Sequence, residues 1–417
     1  MEARMMDKKH LCSLVIEGRK VPKFVLEGLQ PHRNIQELTI KFYQDQNFPH
    51  WVLQLDNLAN LVHVNLESCR SLSTLPPLGH LPLLKLFSLR KLPSVKHIDG
   101  TSFGGFPSLE ELEFLWLEKL EDWTEPDEAT AAAHVYGSSL FLGCLKKLHL
   151  VNCLSLRQFP RLPHLSALKE LKISNPGNYI LELPNCLQVL ACLTTLNIEY
   201  CQHSIVLSAH QFKSLENLEL IKCEGLRLVD GFQCFCKLRS ARVEGCPQLL
   251  SDSASSVSAN LGQNLHEKQQ QQGVKLLTHL RTDDSLMNGD YFRMIGNLSS
   301  LCKLTMYNIP NTTHFSEGQD LWFQQLTSLK CFHIHGSLTL QHLPSSLAVL
   351  PSIEELELLG LHNLHSLPDA LPPKLQKLVI DNCTGDLIIR VSKDGSDWPK
   401  VVHVPYIFVD GTVVQNI

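Results

Sequence analysis

The chain has 417 residues, of which 44% are hydrophobic and 19% charged, with a formal net charge of −5. That composition supplies a core and excludes a globally disordered chain. The mild negative charge, with Lys and Arg spread along the sequence, excludes a dedicated nucleic-acid or membrane surface. No stretch approaches the run of about 18 apolar residues that a spanning helix needs. The start, MEARMMDKKHLC, lacks the apolar run of a secretory signal. The 14 Cys are therefore expected to be reduced thiols in the cytosol or nucleus.

One pattern recurs through the chain. It is clearest at Leu193-x-x-Leu196-x-Ile198-x-x-Cys201, Leu215-x-x-Leu218-x-Leu220-x-x-Cys223 and Leu238-x-x-Ala241-x-Val243-x-x-Cys246. Copies begin at Leu11, Ile35, Leu61, Leu84, Leu109, Leu145, Leu168, Leu193, Leu215, Leu238, Leu277, Leu301, Leu329, Ile353 and Leu375. The spacing is 22–28 residues except at 109→145 and 238→277. The fourth position is apolar in all fifteen copies and the sixth in fourteen, Thr282 being the exception. This is the leucine-rich-repeat signature. It predicts an α/β solenoid, or horseshoe, with a parallel β-sheet on the concave face and short helical turns and loops on the convex face. Residues four and six lie two apart on a strand, so both face the interior. Residues three, five and seven face the concave surface. Prolines in return segments such as LSTLPPLGHL disfavour long helices there. Cys69, Cys153, Cys201, Cys223, Cys246 and Cys383 all occupy position nine, where a small, buried, weakly polar group is wanted.

In chain order, residues 1–250 read as a first block of about ten repeats, with an acidic, then Ala-rich insertion at 121–139. Residues 251–275, rich in Ser and Gln, read as a mobile loop. Residues 276–384 read as a second block of about five repeats. Residues 385–417 lose the period and carry β-branched runs around turn signals at Asp394-Gly395 and Asp410-Gly411, which predicts a C-terminal β cap. The first repeat follows the start at once with no polar cap, so a further domain is expected before Leu11.

No nucleophile motif, H-E-x-x-H or C-x-x-C is present, and no enzyme activity or cofactor is expected. Cys331, His333 and His335 occupy positions three, five and seven of one strand and have the right chemistry for Zn²⁺. In a chain with 20 His, scattered polar residues on a concave face are the plainer reading, and no metal is assigned. Protein recognition is the stronger reading. Its candidate residues are Glu111, Glu113, Trp116, Lys147, His149, Lys172, Tyr200, Arg242, Arg281 and Tyr307, aromatic side chains among mixed charges as at interface hot spots. Glu170 and Glu199 share the same face.

Residues 66–123 carry C-x-x-L-x-x-L-P-P-L-G-x-L-P, then L-x-x-V-K-x-I-x-G, then F-P-S-L-E-E-L-x-F ending in Glu121-Asp122-Trp123. With KKHLCSLVIEG near the start and DWPKVVHVPYIFVDG near the end, this resembles the repeat region of plant intracellular nucleotide-binding leucine-rich-repeat immune receptors. The resemblance implies a sensor and autoinhibitory module. The implied partners are proteins: the receptor's nucleotide-binding domain, a pathogen effector or a guarded host protein. The G-x-x-x-x-G-K-(S/T) motif does not occur, so nucleotide binding is not implied. A free-standing adaptor, such as the substrate-reading part of a ubiquitin ligase, is the alternative.

Overall fold

The computed structural model describes residues 4–98, 105–123, 142–157, 165, 167–177, 191–228, 232–250, 276–283, 298–309 and 312–417. They fall into two compact units, 1–205 and 206–417, each taken by itself. The greater part of the insertion expected at 121–139, and the whole of the loop expected at 251–275, lie outside the described residues.

In the first unit the repeats give β1 (Ser13–Ile16), β2 (Glu37–Lys41), β3 (His63–Glu67), β4 (Leu86–Arg90), β6 (Glu111–Leu115), β8 (Lys147–Val151), β9 (Glu170–Ser174) and β10 (Thr195–Glu199). Each pairs in parallel with the next at the same repeat position: Leu14 opposes Leu38, then Val64, Phe87, Leu112, Leu148, Leu171 and Leu196. A second, two-stranded sheet joins β5 (His97–Ile98) to β7 (Asp122–Trp123). Trp123 packs edge-on against Phe114. The short α1 (Lys23–Glu27) and α2 (His50–Leu53) lie in return segments, and the Trp51 indole N–H donates to the Leu26 carbonyl.

β11 (Ile205–Leu207) falls at the division. In the second unit come β12 (Asn217–Ile221), β13 (Leu226–Leu228), β14 (Ser240–Glu244), β15 (His279–Thr282), β16 (Lys303–Tyr307), β17 (Cys331–Ser337), β18 (Glu355–Leu361), β19 (Lys377–Asp381), β20 (Tyr406–Val409) and β21 (Thr412–Asn416). β12 and β14–β20 form a parallel ladder, again in repeat register. The repeat-derived reading of the fold holds: all fifteen copies of the pattern form a ladder strand. Residues four and six are buried in every copy. Thr282, the polar exception, is 1% exposed, and its hydroxyl donates to the Asp283 carbonyl. That bond lets a hydroxyl replace an aliphatic group in the interior. The convex segments are short turns, as the prolines predict. The longest helix among the described residues is α3 (Glu317–Gln324), closed by a Ser316/Gln319 capping box.

Position nine shows why cysteine recurs. The thiols of Cys69, Cys153, Cys246 and Cys383 donate to the position-six carbonyl of the preceding repeat, Ile40, Phe114, Leu220 and Leu358 respectively. Burial pushes Cys69 up to about 11 and Cys153 up to about 12. These thiols stay protonated and act as weak donors between rungs.

The tail differs from an all-β cap. DLIIRV, read as a β-branched run, is the core of α4 (Gly385–Val391), because Thr384 caps its N-terminus by accepting from the Leu387 N–H. The second helix, α5 (Trp398–Val401), follows. The period also does not stop at Leu375. Val404-x-x-Ile407-x-Val409 forms a sixteenth rung, with Ile407 opposite Leu378. The two helices stretch the step to it and hide it from a fixed ruler. β21 runs antiparallel to β20, turned back at Asp410 and Gly411, both in the left-handed region.

Candidate functional site: the solvent-facing side of the ladder

Repeat register decides which charges meet. In the first unit Lys147 opposes Glu111 and pairs with it at 3.0 Å. His149 opposes Glu113 at 3.6 Å and reaches Glu170 diagonally at 2.9 Å. Arg90 binds Glu113 at 2.6 Å from the other side, and the Ser88 hydroxyl donates to the same oxygen. Lys172 pairs with Glu199 at 3.1 Å. Glu111, Glu113, Lys147, His149 and Lys172 thus belong to one run of alternating charge across β4 to β10. Sequence reasoning missed Ser88 and Arg90, whose only signal was their repeat position.

Hydrogen bonds from His149, Ser88 and Arg90 hold the Glu113 carboxyl down at about 2. Glu113 in turn raises His149. The two linkages have opposite signs. The Glu113 contribution is complete above the ordinary Glu range and is lost as pH falls through about 2. The His149 contribution is complete below the ordinary His value and is lost as pH rises through its elevated one. Glu113→Gln should remove the first and reduce the second, which Glu170 still supports, and should flatten the stability–pH profile on its acid limb and lessen its slope around neutrality. Urea midpoints measured from pH 2 to 9 check this; a variant profile parallel to the parent's would count against the network.

Trp116 and Tyr200 lie outside the strands. They sit one residue beyond β6 and β10, at position eight, with φ of 59° and 54°. After the first copy, position eight is left-handed wherever it lies among the described residues. The turn lets the amide keep its bond to the next rung, as Trp116 N–H does to the Val151 carbonyl, while the chain leaves the sheet. Asn152, Asn175, Asn308, Asn382, Gly245, Gly336 and Gly360 fill this position cheaply. A Trp or Tyr there strains the backbone by about 1 kcal/mol. Both rings are exposed, at 43% and 47%, so neither repays the strain in the core. The Lys91 ammonium lies 5.8 Å from the Trp116 ring centroid.

In the second unit Arg242 and Arg281 face each other in register, and Glu244 accepts from both. Burial pushes the Glu244 carboxyl up, but the two guanidiniums outweigh it and leave it below its usual range. The Arg281 guanidinium stacks 4.6 Å from the Tyr307 ring, which meets His335 edge-on. Arg242, Arg281 and Tyr307 are therefore one cluster, with Glu244 as the member the sequence did not single out. A groove of about 680 Å³ runs past it along the carboxyl ends of the strands, from Ile221 to Asn382. Glycines at Gly245, Gly336 and Gly360 keep it open. Cys331, His333 and His335 do share one face, joined by Glu355 and Glu357 from β18.

Residues 1–92 match the family described as R13L1/DRL21 LRRs. A putative disease resistance protein of Arabidopsis thaliana is 31% identical over 147 residues, covering 33% of this chain and 10% of that protein. Putative disease resistance protein RGA1 of Solanum bulbocastanum is 28% identical over 233 residues, covering 54% and 22%. The chain is a leucine-rich-repeat region, similar to those of plant disease resistance proteins. The putative disease resistance RPP13-like protein 1 of Arabidopsis thaliana shares 28% identity over 244 residues, 54% of this chain and 22% of the relative. The chain thus spans between 10% and 22% of these relatives' length. Among solved structures, a leucine-rich-repeat protein of Leptospira interrogans superposes with a TM-score of 0.53 at 17% identity, covering 98% of both chains. A chain of the TLR13–ssRNA13 complex superposes at 0.52 and 18%, covering 88% of this chain and 53% of that one. These two likenesses are of fold alone. No helix among the described residues is long and apolar enough to cross a membrane.

Proposed function

We propose that this leucine-rich-repeat region is the protein-recognition module of a plant intracellular immune receptor, reading an effector or a guarded host protein and contacting the receptor's nucleotide-binding domain. The reading rests on one observation. Trp116 and Tyr200 are held exposed in a backbone conformation that costs stability, above a face of ordered ion pairs. A strained, solvent-facing aromatic residue suits a binding surface, since Asn or Gly would hold the same turn at less cost. The flanking charges set partner choice and approach rate more than affinity. The module itself works by binding, and a cytoplasmic location goes with this role.

Trp116→Asn separates binding from folding. The variant should be as stable as the parent or more stable by up to about 1 kcal/mol, because the strain is relieved and no core contact is lost. In a pull-down with a nucleotide-binding domain of such a receptor supplied as a separate chain, it should bind at least about tenfold more weakly, as for loss of a hot-spot aromatic. Capture by the parent should also fall between low and high salt. A parent chain that ignores every such domain and every candidate effector would sink the proposal. So would a Trp116→Asn variant that binds as well as the parent.

A further inference from the structure

We propose that His333, His335 and Glu357 form a binding site for a divalent transition-metal ion of the zinc class, with Glu355 orienting His333 from its far side. The proposal is independent of which protein the ladder recognises. His333 and His335 lie two apart on β17, and Glu357 on β18 stands opposite His333 in register. His333 Nδ1 is 3.4 Å and His335 Nε2 is 3.5 Å from the Glu357 carboxylate. One donor atom from each of the three lies within 4.8 Å of the others. Tetrahedral ligands at zinc–nitrogen and zinc–oxygen bond lengths stand about 3.4 Å apart, so small side-chain rotations close the set around an ion.

A second observation points the same way. The Nε2 atoms of His333 and His335 are both buried and have no hydrogen-bond partner. The His333 side chain is only 5% exposed. Buried polar atoms are rarely left so, and a cation between the imidazoles and Glu357 gives His335 Nε2 its partner. His333 Nε2 points towards Glu355, 3.8 Å away, and Glu355 is itself held by Lys377 at 2.7 Å. A carboxylate behind a ligating imidazole fixes its tautomer and raises its basicity.

The neighbouring set of Cys331, His333 and Glu355 is the weaker one. Its carboxylate, Glu355, is already paired with Lys377 at 2.7 Å. Arg281 and Lys303 are the nearby cations that oppose a metal ion; Glu355 and Glu357 are the carboxylates that offset them. Two imidazoles and one carboxylate favour zinc-class ions over calcium or magnesium. His335 and Gly336 line the groove, so the fourth position opens on solvent.

The test uses the whole chain, stripped with a chelator. Zn²⁺ is titrated by calorimetry and Co²⁺ by visible absorption. The parent should bind one ion, with a rise in melting temperature on adding Zn²⁺. His335→Gln and Glu357→Gln should each weaken binding at least about 100-fold, Glu355→Gln about 10–100-fold, and Cys331→Ser not at all. The substituted side chains face away from the interior, and circular dichroism checks each fold. If one variant fails to fold, the other decides. The proposal is overturned if the parent binds no ion, or if both Gln variants at His335 and Glu357 bind like the parent. A thiolate charge-transfer band lost in Cys331→Ser would also overturn it.

Discussion

Leu218→Asp should unfold the second unit's ladder at its first rung, at a cost of about 4–5 kcal/mol or more. Leu218 is 1% exposed on β12 and stands in register with Ala241, Leu280 and Leu304. The substitution removes a buried aliphatic side chain and puts an unpaired carboxylate in its place. No cation lies in that column to receive it, since the four residues in register are all apolar. In a ladder whose rungs contact only their neighbours, the damage passes to adjacent repeats through lost strand pairing. The next residue is the control. Glu219 points to the other face, and Glu219→Leu should change stability by less than about 1 kcal/mol. Urea unfolding followed by circular dichroism measures both. Soluble Leu218→Asp protein with the parent's spectrum and midpoint would contradict the register of the whole sheet.

Asp397→Ala should cost about 2–4 kcal/mol, the second largest effect expected. The Asp397 side chain is 1% exposed. It accepts from both the Nε and a terminal nitrogen of Arg390, and from the Leu367 N–H at 3.1 Å, and Lys400 Nζ lies 3.2 Å away. One carboxylate thereby ties α4, α5 and the return segment before β19 together, and so sets the sixteenth rung. Truncation leaves the Leu367 amide buried without a partner. The cost stops short of that for a fully buried ion pair because Arg390 is 42% exposed and can turn to water. Asp397→Asn, which keeps an acceptor, should fall between the two. Melting curves rank the three proteins, and amide exchange at Ile407 and Phe408 shows whether β20 loosens first. A melting temperature unchanged in Asp397→Ala, with β20 still protected, would mean the tail is held by its apolar contacts alone.

The ladder was legible in the sequence because its cause is local and repeated. Each copy needs buried residues two apart at positions four and six, apolar in all but Thr282, and in-register stacking repeats that demand fifteen times. Even the burial of Thr282 follows from position alone. The candidate face was legible only as a set of positions. Which charges meet depended on register between strands distant in sequence, so Arg90 reached Glu113, 23 residues on, and Glu244 reached Arg281, 37 residues on, joining it to Arg242, only once neighbouring strands were side by side. The same juxtaposition brought Glu355 and Glu357 to His333 and His335. Two features escaped the pattern for other reasons. A capping threonine turned a β-branched run into α4, because a satisfied helix start outweighs a weak strand preference. Trp116 and Tyr200 lie in a turn because position eight, wherever it is described after the first copy, is left-handed whatever residue stands there. The sequence determined by itself which residues are inside. Tertiary structure alone decided which outer side chains are neighbours, because interior burial is set within one repeat and electrostatic contact is set between repeats.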